Sequence, residues 1–226
     1  SNIVNDEIGI IDNIRKSHRK WGVALNLVEN KFGLVGLLHA IQHNGSCFWP
    51  ATRRIEKYPK ENIPIIYKYI RELKSRDIVW FKTKIFAMFS NVVDKWKLQG
   101  YGKDLIGFLG IKNKFVIGET IDALGNLRCK PAIPHLVQFL DDDREVYSNS
   151  RIRISDKAAL ALIKFDSNSA LEQAKLWALE EVNKRIIRDR TASIIVLGYV
   201  GDHQIVSRLE EIARYKNYSI SSKARD

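Results

Sequence analysis

Apolar residues recur along most of the chain at intervals of three and four, the spacing of one face of an α-helix. The segments from Ile133 to Leu140 and from Ile205 to Ile212 both have this pattern. Each predicted helix is about 10 to 15 residues long and is followed by a short polar or Gly/Pro turn. The alternation of apolar and polar positions that is typical of strands is scarce. The pattern therefore predicts an all-α protein.

Three segments of the second half repeat one arrangement, in which a helix of small residues ends near a leucine and a second amphipathic helix follows. The aligned residues Leu124, Leu162 and Leu197 are 38 and 35 residues apart. Phe89 aligns more loosely, and residues 220–226 look like the opening of a further copy. Small side chains let neighbouring helices approach closely, and the glycine after Leu124 is expected to end its helix in a left-handed conformation. Because such a pair cannot bury its apolar face alone, we expect an α-solenoid of stacked antiparallel helix pairs.

The two parts of the chain are predicted to differ in regularity. Residues 76–226 hold the repeats, and residues 1–75 are expected to form irregular helical pairs or a cap. A distinct N-terminal helical domain is the alternative for residues 1–75, whose predicted helices cover 5–28, 31–43, 51–57 and 63–74. Ser1-Asn2 is typical of the scar left by tag removal, and Asp226 falls inside a predicted helix. We therefore expect the chain to be a truncated part of a larger protein.

The clearest repeat resembles a known family. Ala-Leu-Gly-Asn-Leu at 123–127 is followed by Pro131–Leu136 and then by Asp141–Asp143. This pattern resembles the HEAT-like repeat that is named after phycobilisome lyases, and the similarity decreases away from it over residues 81–226. The resemblance implies a stack of helix pairs. It also offers one enzymatic interpretation, a relative of the bilin lyases that attaches or removes a bilin chromophore on a protein.

Composition and charge narrow the class of protein. The 226 residues are 45% apolar and 28% charged, the balance of a globular or repeat protein and not of a disordered one. The net charge is +11, and residues 1–113 hold 19 Lys/Arg against 10 Asp/Glu. No apolar run approaches the roughly 20 residues that span a bilayer, and no secretory signal is visible. We therefore expect a basic, cytoplasmic protein that does not enter a membrane.

Motifs for catalysis or metal binding are not evident. Cys47 and Cys129 lack partners at metal spacing and are expected to be reduced thiols. His39 and His43 would share a helix face, but no third ligand accompanies them. Asp141–Asp143 read as a solvent-facing turn. Because nucleotide-binding loops and hydrolase elbows are also missing, we expect no metal, no cofactor, no small-molecule substrate and no catalytic residue.

The repeat register predicts a binding surface on the inner, concave side of the stack. Seven side chains are expected to face it: Asn91, Asp122, Asn126, Leu160, Lys164, Ile195 and Tyr199. A protein partner held by many side chains, rather than a ligand in one pocket, is the predicted function. The loop 145–153 lengthens one repeat. Its Tyr147, Arg151 and Arg153 would suit contact with a phosphate or carboxylate, or would remain solvated.

Nucleic acid is the alternative partner. The basic residues that would bind its phosphates are Arg53, Arg54, Lys57, Lys82, Lys84, Lys95 and Lys97. The same residues could instead be ordinary solvent-facing helix positions. A narrower version is an alkylated-base DNA glycosylase, in which Asp122 would be the acid. The aromatic side chains available to it are Trp80, Trp96 and Trp177.

Overall fold

The computed structural model describes residues 21–43, 45–74, 84–148, 151–183 and 191–201. Over these residues the chain forms helices and no strand, and one isolated antiparallel bridge joins Glu145 to Arg153. The predicted all-α fold is confirmed. The chain divides into a first unit, residues 1–98, and a second unit, residues 99–226. The predicted start of the repeats, residue 76, lies outside the described residues.

The first unit contributes four helices to the described part of the chain: α1 Trp21–His43, α2 Phe48–Ile55, α3 Ile63–Lys74 and α4 Lys84–Lys95. The sequence predicted a helix boundary within α1, and the helix is interrupted at Gly33, whose φ is 59°. Glycine tolerates this left-handed conformation because it has no Cβ. Pro64 lies in the first turn of α3, where its missing N–H removes no helical hydrogen bond.

The four helices of the first unit enclose a core of their own. Helix α1 packs against α2, α3 and α4, and α4 also packs against α2 and α3. Burying each large apolar side chain contributes about 1.5 to 3 kcal/mol. The largest fully buried side chains in this core include Leu37, Leu38, Ile41, Ile66, Phe86 and Phe89.

The second unit repeats one helical arrangement. Its helices within the described residues are α5 Gly102–Phe108, α6 Lys114–Asn126, α7 Ile133–Val137, α8 Ile154–Leu162, α9 Asn168–Asn183 and α10 Thr191–Val200. Helix α8 packs between α6 and α10, and these three form what we call the first-helix layer. Helices α7 and α9 pack against α8 from a second layer. Alternate helices of the chain therefore belong to alternate layers, as a helical repeat requires.

Close approach between α6 and α8 depends on a glycine. A Cβ added to Gly125 would lie 2.7 Å from Cβ and 2.9 Å from Cα of Ala161, so the contact leaves no room for a side chain. The expectation that Gly125 ends its helix in a left-handed conformation is wrong, because Gly125 lies within α6. The left-handed residues that follow α6 and α10 are Arg128, with φ 51°, and Gly201, with φ 66°.

Polar side chains fix where two helices of the first-helix layer begin. The Oδ1 atom of Asn113 accepts hydrogen bonds from the backbone N–H groups of Phe115 and Val116, at 3.0 and 3.3 Å. The backbone N–H of Arg153 donates to Oδ2 of Asp156 at 2.8 Å. These three bonds satisfy N–H groups that a helix start leaves without an intrahelical partner. In the described ranges no helix is long and apolar enough to cross a membrane.

We predict that Gly125→Val lowers the free energy of unfolding by about 1 to 3 kcal/mol, because the new side chain must push α6 and α8 apart. Urea unfolding followed by circular dichroism measures the change. Gly107→Ala is the matched control, since a Cβ there meets nothing within 4 Å. We expect this control to leave stability unchanged or to raise it. Equal stability of Gly125→Val and the wild type would contradict the close approach.

Candidate interaction surface

Six of the seven predicted inner-surface residues lie in the second unit, on or directly after the helices of the first-helix layer. We call this set the first-helix face: Asp122, Asn126, Leu160, Lys164, Ile195 and Tyr199. Asn126 and Lys164 are exposed, and Asp122 and Leu160 are half-buried. Ile195 is 47% exposed and Tyr199 is 63% exposed. The face therefore combines exposed apolar side chains on α10 with polar ones at α6 and α8.

One hydrogen bond directly joins two of these residues across the repeats. Nζ of Lys164 donates to Oδ1 of Asn126 at 2.6 Å. The two residues are 38 positions apart, the same spacing as that between Leu124 and Leu162. Equivalent positions of consecutive repeats thus lie side by side at this point of the face.

The seventh residue, Asn91, lies on α4 in the first unit. Its side chain is half-buried, and its Nδ2 donates to the backbone oxygen of Ala87 at 2.9 Å. The amide thus has a partner within its own helix.

A group of charged and polar side chains lies at the edge of the first-helix face. Nζ of Lys157, on α8, donates to Oδ2 of Asp122 at 2.5 Å and to Oε1 of Glu119 at 3.2 Å. Nζ also lies 3.3 Å from the hydroxyl of Tyr147, and that hydroxyl donates to Oε1 of Glu119. We call these four residues the Lys157 cluster. Lys157 is only 7% exposed and Glu119 only 5%, so the cluster holds α6 and α8 together below the surface.

The electrostatics of the Lys157 cluster follow from burial and from its charges. Desolvation lowers the pKa of Lys157, but the carboxylates of Asp122 and Glu119 outweigh it and the net pKa shift is upward. Desolvation raises the pKa of Asp122, against the opposing effect of Lys157. Burial, and then the charge of Glu119, raise the pKa of Tyr147 to about 12. Lys157 is therefore a fixed cation in this cluster.

The segment between α7 and α8, which lengthens one repeat, folds into a small hairpin. We call residues 144–148 and 151–153 the hairpin segment. The backbone N–H of Val146 donates to the oxygen of Ile152 at 2.8 Å, and the side chain of Val146 is buried against Gly118 of α6. The ring of Tyr147 meets Phe115 edge-on, with centroids 5.7 Å apart. The hairpin segment is thus packed against α6.

The side chain of Arg153, at the other end of the hairpin segment, forms ion pairs with residues of α8 and α9. Its guanidinium lies 2.9 Å from Asp156, 2.7 Å from Glu181 and 3.0 Å from Asp143. The side chain is only 12% exposed. Tyr147 and Arg153 therefore contact carboxylates of the chain itself, whereas Arg151 is exposed and has no partner within the described residues.

Sequence reasoning missed most of these polar contacts. Glu119, Lys157 and Glu181 were not singled out, although each is a charged residue at a position that helical periodicity assigns to a packed face. A charged residue in such a position needs a partner, because burying an isolated charge is costly. That conflict was the available signal, but the periodicity does not name the partner.

The basic residues predicted to bind phosphates in the first unit differ in solvent exposure and in whether they form ion pairs. Arg53, Lys57 and Lys95 are exposed. Arg54 forms an ion pair with Glu29 at 2.6 Å, and Lys97 forms one with Asp94 at 2.7 Å. Lys84 is half-buried, and desolvation lowers its pKa. Lys82 lies outside the described residues.

The residues considered for glycosylase or metal chemistry have individual contacts within their own units. Asp122 accepts its hydrogen bond from Lys157, and Trp177 is buried in α9. Nε1 of Trp96, in the first unit, donates to the oxygen of Glu56 at 3.4 Å, and Trp80 lies outside the described residues. No group of three or more His, Cys, Asp and Glu that could hold a metal ion occurs among the residues described.

One family model matches the chain. The model described as PBS lyase HEAT-like repeat covers residues 117–142, which include most of α6, all of α7 and the turn between them. This match confirms the resemblance identified from residues 123–127. No curated protein and no solved structure matches the chain significantly. The comparisons therefore support a helical-repeat scaffold and name no activity.

We predict that Lys157→Met lowers the free energy of unfolding by about 3 kcal/mol, because Glu119 then remains buried without its cation. Adding Glu119→Gln should recover part of this loss. Lys164→Met, which removes an exposed lysine, is the control and should cost less than about 0.5 kcal/mol. Urea unfolding of five proteins checks this: the wild type, the single variants Lys157→Met, Glu119→Gln and Lys164→Met, and the double variant. If the losses in free energy of unfolding of the two single variants simply add in the double variant, the pairing of Lys157 with Glu119 is contradicted.

Stability should also depend on pH through Tyr147. The pKa of Tyr147 is about 12 in the folded protein, whereas a free tyrosine has the ordinary value of 10.0. The protonated phenol therefore stabilises the folded state fully below pH 10, and this contribution disappears as the pH rises towards about 12. Between about pH 9 and about pH 11 the wild type should lose more stability than Tyr147→Phe. Parallel pH profiles of the two proteins would rule out this role.

Proposed function

We propose that this chain is a non-enzymatic helical-repeat scaffold that binds a protein partner on its first-helix face. The observation that carries this proposal is the exposure of Ile195 and Tyr199 on α10, at 47% and 63%. Scattered exposed apolar residues are ordinary on protein surfaces. Two large ones separated by one helical turn, on a face that continues to Lys164 and Asn126, fit a binding site better.

The composition of the first-helix face suits a protein partner. Tyrosine is enriched at the centres of protein interfaces because its rigid ring contributes much contact area at low entropic cost. The ring of Tyr199 and the side chain of Ile195 would supply such a centre, and the Lys164–Asn126 pair would form part of a polar rim. Extended surfaces built from successive repeats are the usual binding surfaces of helical-repeat proteins.

The bilin-lyase and nucleic-acid alternatives have less support. The family match identifies a repeat and not a bilin site. In the basic set Arg54 and Lys97 have carboxylate partners, which reduces the charge available to phosphates. We therefore base the proposal on the first-helix face.

The proposal predicts a position-specific pattern of photo-crosslinking. A photoreactive phenylalanine analogue placed at Tyr199 or Ile195, in the cells from which the protein comes, should crosslink one and the same protein. The matched control is Leu176 on α9, which is 53% exposed but belongs to the second layer. Crosslinks of equal yield from Leu176, or crosslinks only to nucleic acid, would contradict the proposal.

Substitution provides the quantitative test. Tyr199→Ala should weaken binding of the crosslinked protein by about tenfold, the usual effect of removing an aromatic residue at an interface centre. Leu176→Ala should change the affinity by less than about twofold. Both affinities can be measured by calorimetry with the purified partner, after circular dichroism has shown unchanged helicity.

A further inference from the structure

The hairpin segment is held at both of its ends. At one end, Val146 is buried against Gly118, and the hydroxyl of Tyr147 donates to Glu119. At the other end, the guanidinium of Arg153 contacts three carboxylates, and the backbone N–H of Ile154 donates to the oxygen of Arg144 at 3.0 Å. A loop that serves only as a connection between helices does not require this many contacts. The anchors restrict the positions of Arg151 and Ile152, which lowers the entropic cost of binding through these two residues.

Arg151 and Ile152, which lie between the anchors, are both exposed to solvent. Arg151 is exposed, with no hydrogen bond or ion pair to it within the described residues. Its φ is 56°, a left-handed conformation that is unfavourable for a residue with a Cβ. Its neighbour Ile152 is 41% exposed although its backbone oxygen is bound to Val146. The anchored hairpin therefore displays, beside an apolar side chain, a guanidinium that has no partner in the part of the chain that the structure describes.

The hairpin segment borders the first-helix face. The hydroxyl of Tyr147 contacts Lys157, and Lys157 contacts Asp122, which belongs to that face. A chain of direct polar contacts therefore connects the base of the hairpin segment to the predicted binding surface. A partner on the first-helix face could reach the hairpin without leaving the second unit.

Charge decides which kind of partner Arg151 suits. Asp141 and Glu145 lie close to it in sequence, and Asp141 is exposed, whereas Asp143 is paired with Arg153. A nucleic acid would bring many phosphates towards these carboxylates and would be repelled. A single carboxylate that pairs with the guanidinium avoids most of this repulsion.

We propose that the hairpin segment is a recognition element for a protein partner, in which Arg151 pairs with a carboxylate and Ile152 contacts an apolar side chain next to it. This inference rests on the proposed function, because the hairpin extends the first-helix face. Arg153 and Tyr147 hold the element in position, and the selective contacts belong to Arg151 and Ile152.

The test uses random peptides displayed on phage and selected on the immobilised full chain. Selected peptides should contain Asp or Glu next to an apolar residue. Fluorescence polarisation should show affinities for Arg151→Glu that are weaker by about tenfold or more, because attraction becomes repulsion. Arg151→Lys should retain most of the affinity, and a peptide with its acidic residue changed to Lys should bind Arg151→Glu better than the original peptide does.

A further variant separates recognition from stability. Arg151→Gly relieves the left-handed conformation, so it should fold at least as stably as the wild type by thermal unfolding and still lose peptide binding. A stable Arg151→Gly protein with unchanged peptide affinity would overturn the proposal. Failure of the wild-type chain to select any peptide would overturn it as well.

The two proposals can fail separately. If Tyr199→Ala loses peptide binding while Arg151→Glu and Ile152→Ser retain it, the hairpin inference is wrong and the first-helix face remains supported. If the hairpin variants lose binding while Tyr199→Ala retains it, Arg151 is the recognition residue and the face is not the site. Binding of a random-sequence oligonucleotide that Arg151→Glu abolishes, with no acidic peptide selected, would assign the hairpin to nucleic acid and overturn the inference.

Discussion

The second unit depends on the packing of α8, which contacts helices on several sides. It lies between α6 and α10 in its own layer, and α7 and α9 cover it from the other layer. Each of these helices is short, and a short helix gains too little from its own hydrogen bonds to be stable in water. Stability therefore comes from the apolar contacts that successive pairs share. The substitution of Gly125 by any larger residue would disturb this arrangement at a close contact between α6 and α8.

The Lys157 cluster adds a polar constraint to the same contact. A lysine that is 7% exposed between two helices would be unfavourable without Glu119 and Asp122, whereas with them it holds α6 and α8 at a defined offset. Apolar contacts tolerate some sliding of one helix along another, but these hydrogen bonds are satisfied in one register. The cluster also fixes Tyr147, so that the position of the hairpin segment depends on the register of the stack.

The proposed binding surface uses the parts of the second unit that the core leaves uncovered. Exposed residues of α10 lie on the first-helix face, and the hairpin segment extends this face beyond the helices. A regular repeat would present only helix side chains to a partner. In our proposal, the inserted segment adds the cation of Arg151 and the apolar side chain of Ile152, so that this repeat carries a recognition element beside its helices.

The sequence by itself determined the fold class, the repeat and much of its register. The 38-residue repeat spacing is enough to place Asn126 beside Lys164, because periodicity depends only on which side chains avoid water. The polar contacts of Lys157 and Arg153 were decided by the tertiary structure alone. Lys157 finds partners 35 and 38 residues away, and Arg153 reaches Glu181 on another helix. Such partners are set by the three-dimensional distance between side chains, and helical periodicity contains no information about that distance. For the same reason the sequence assigned Gly125 to a helix end, whereas the neighbouring helix requires it as a close contact.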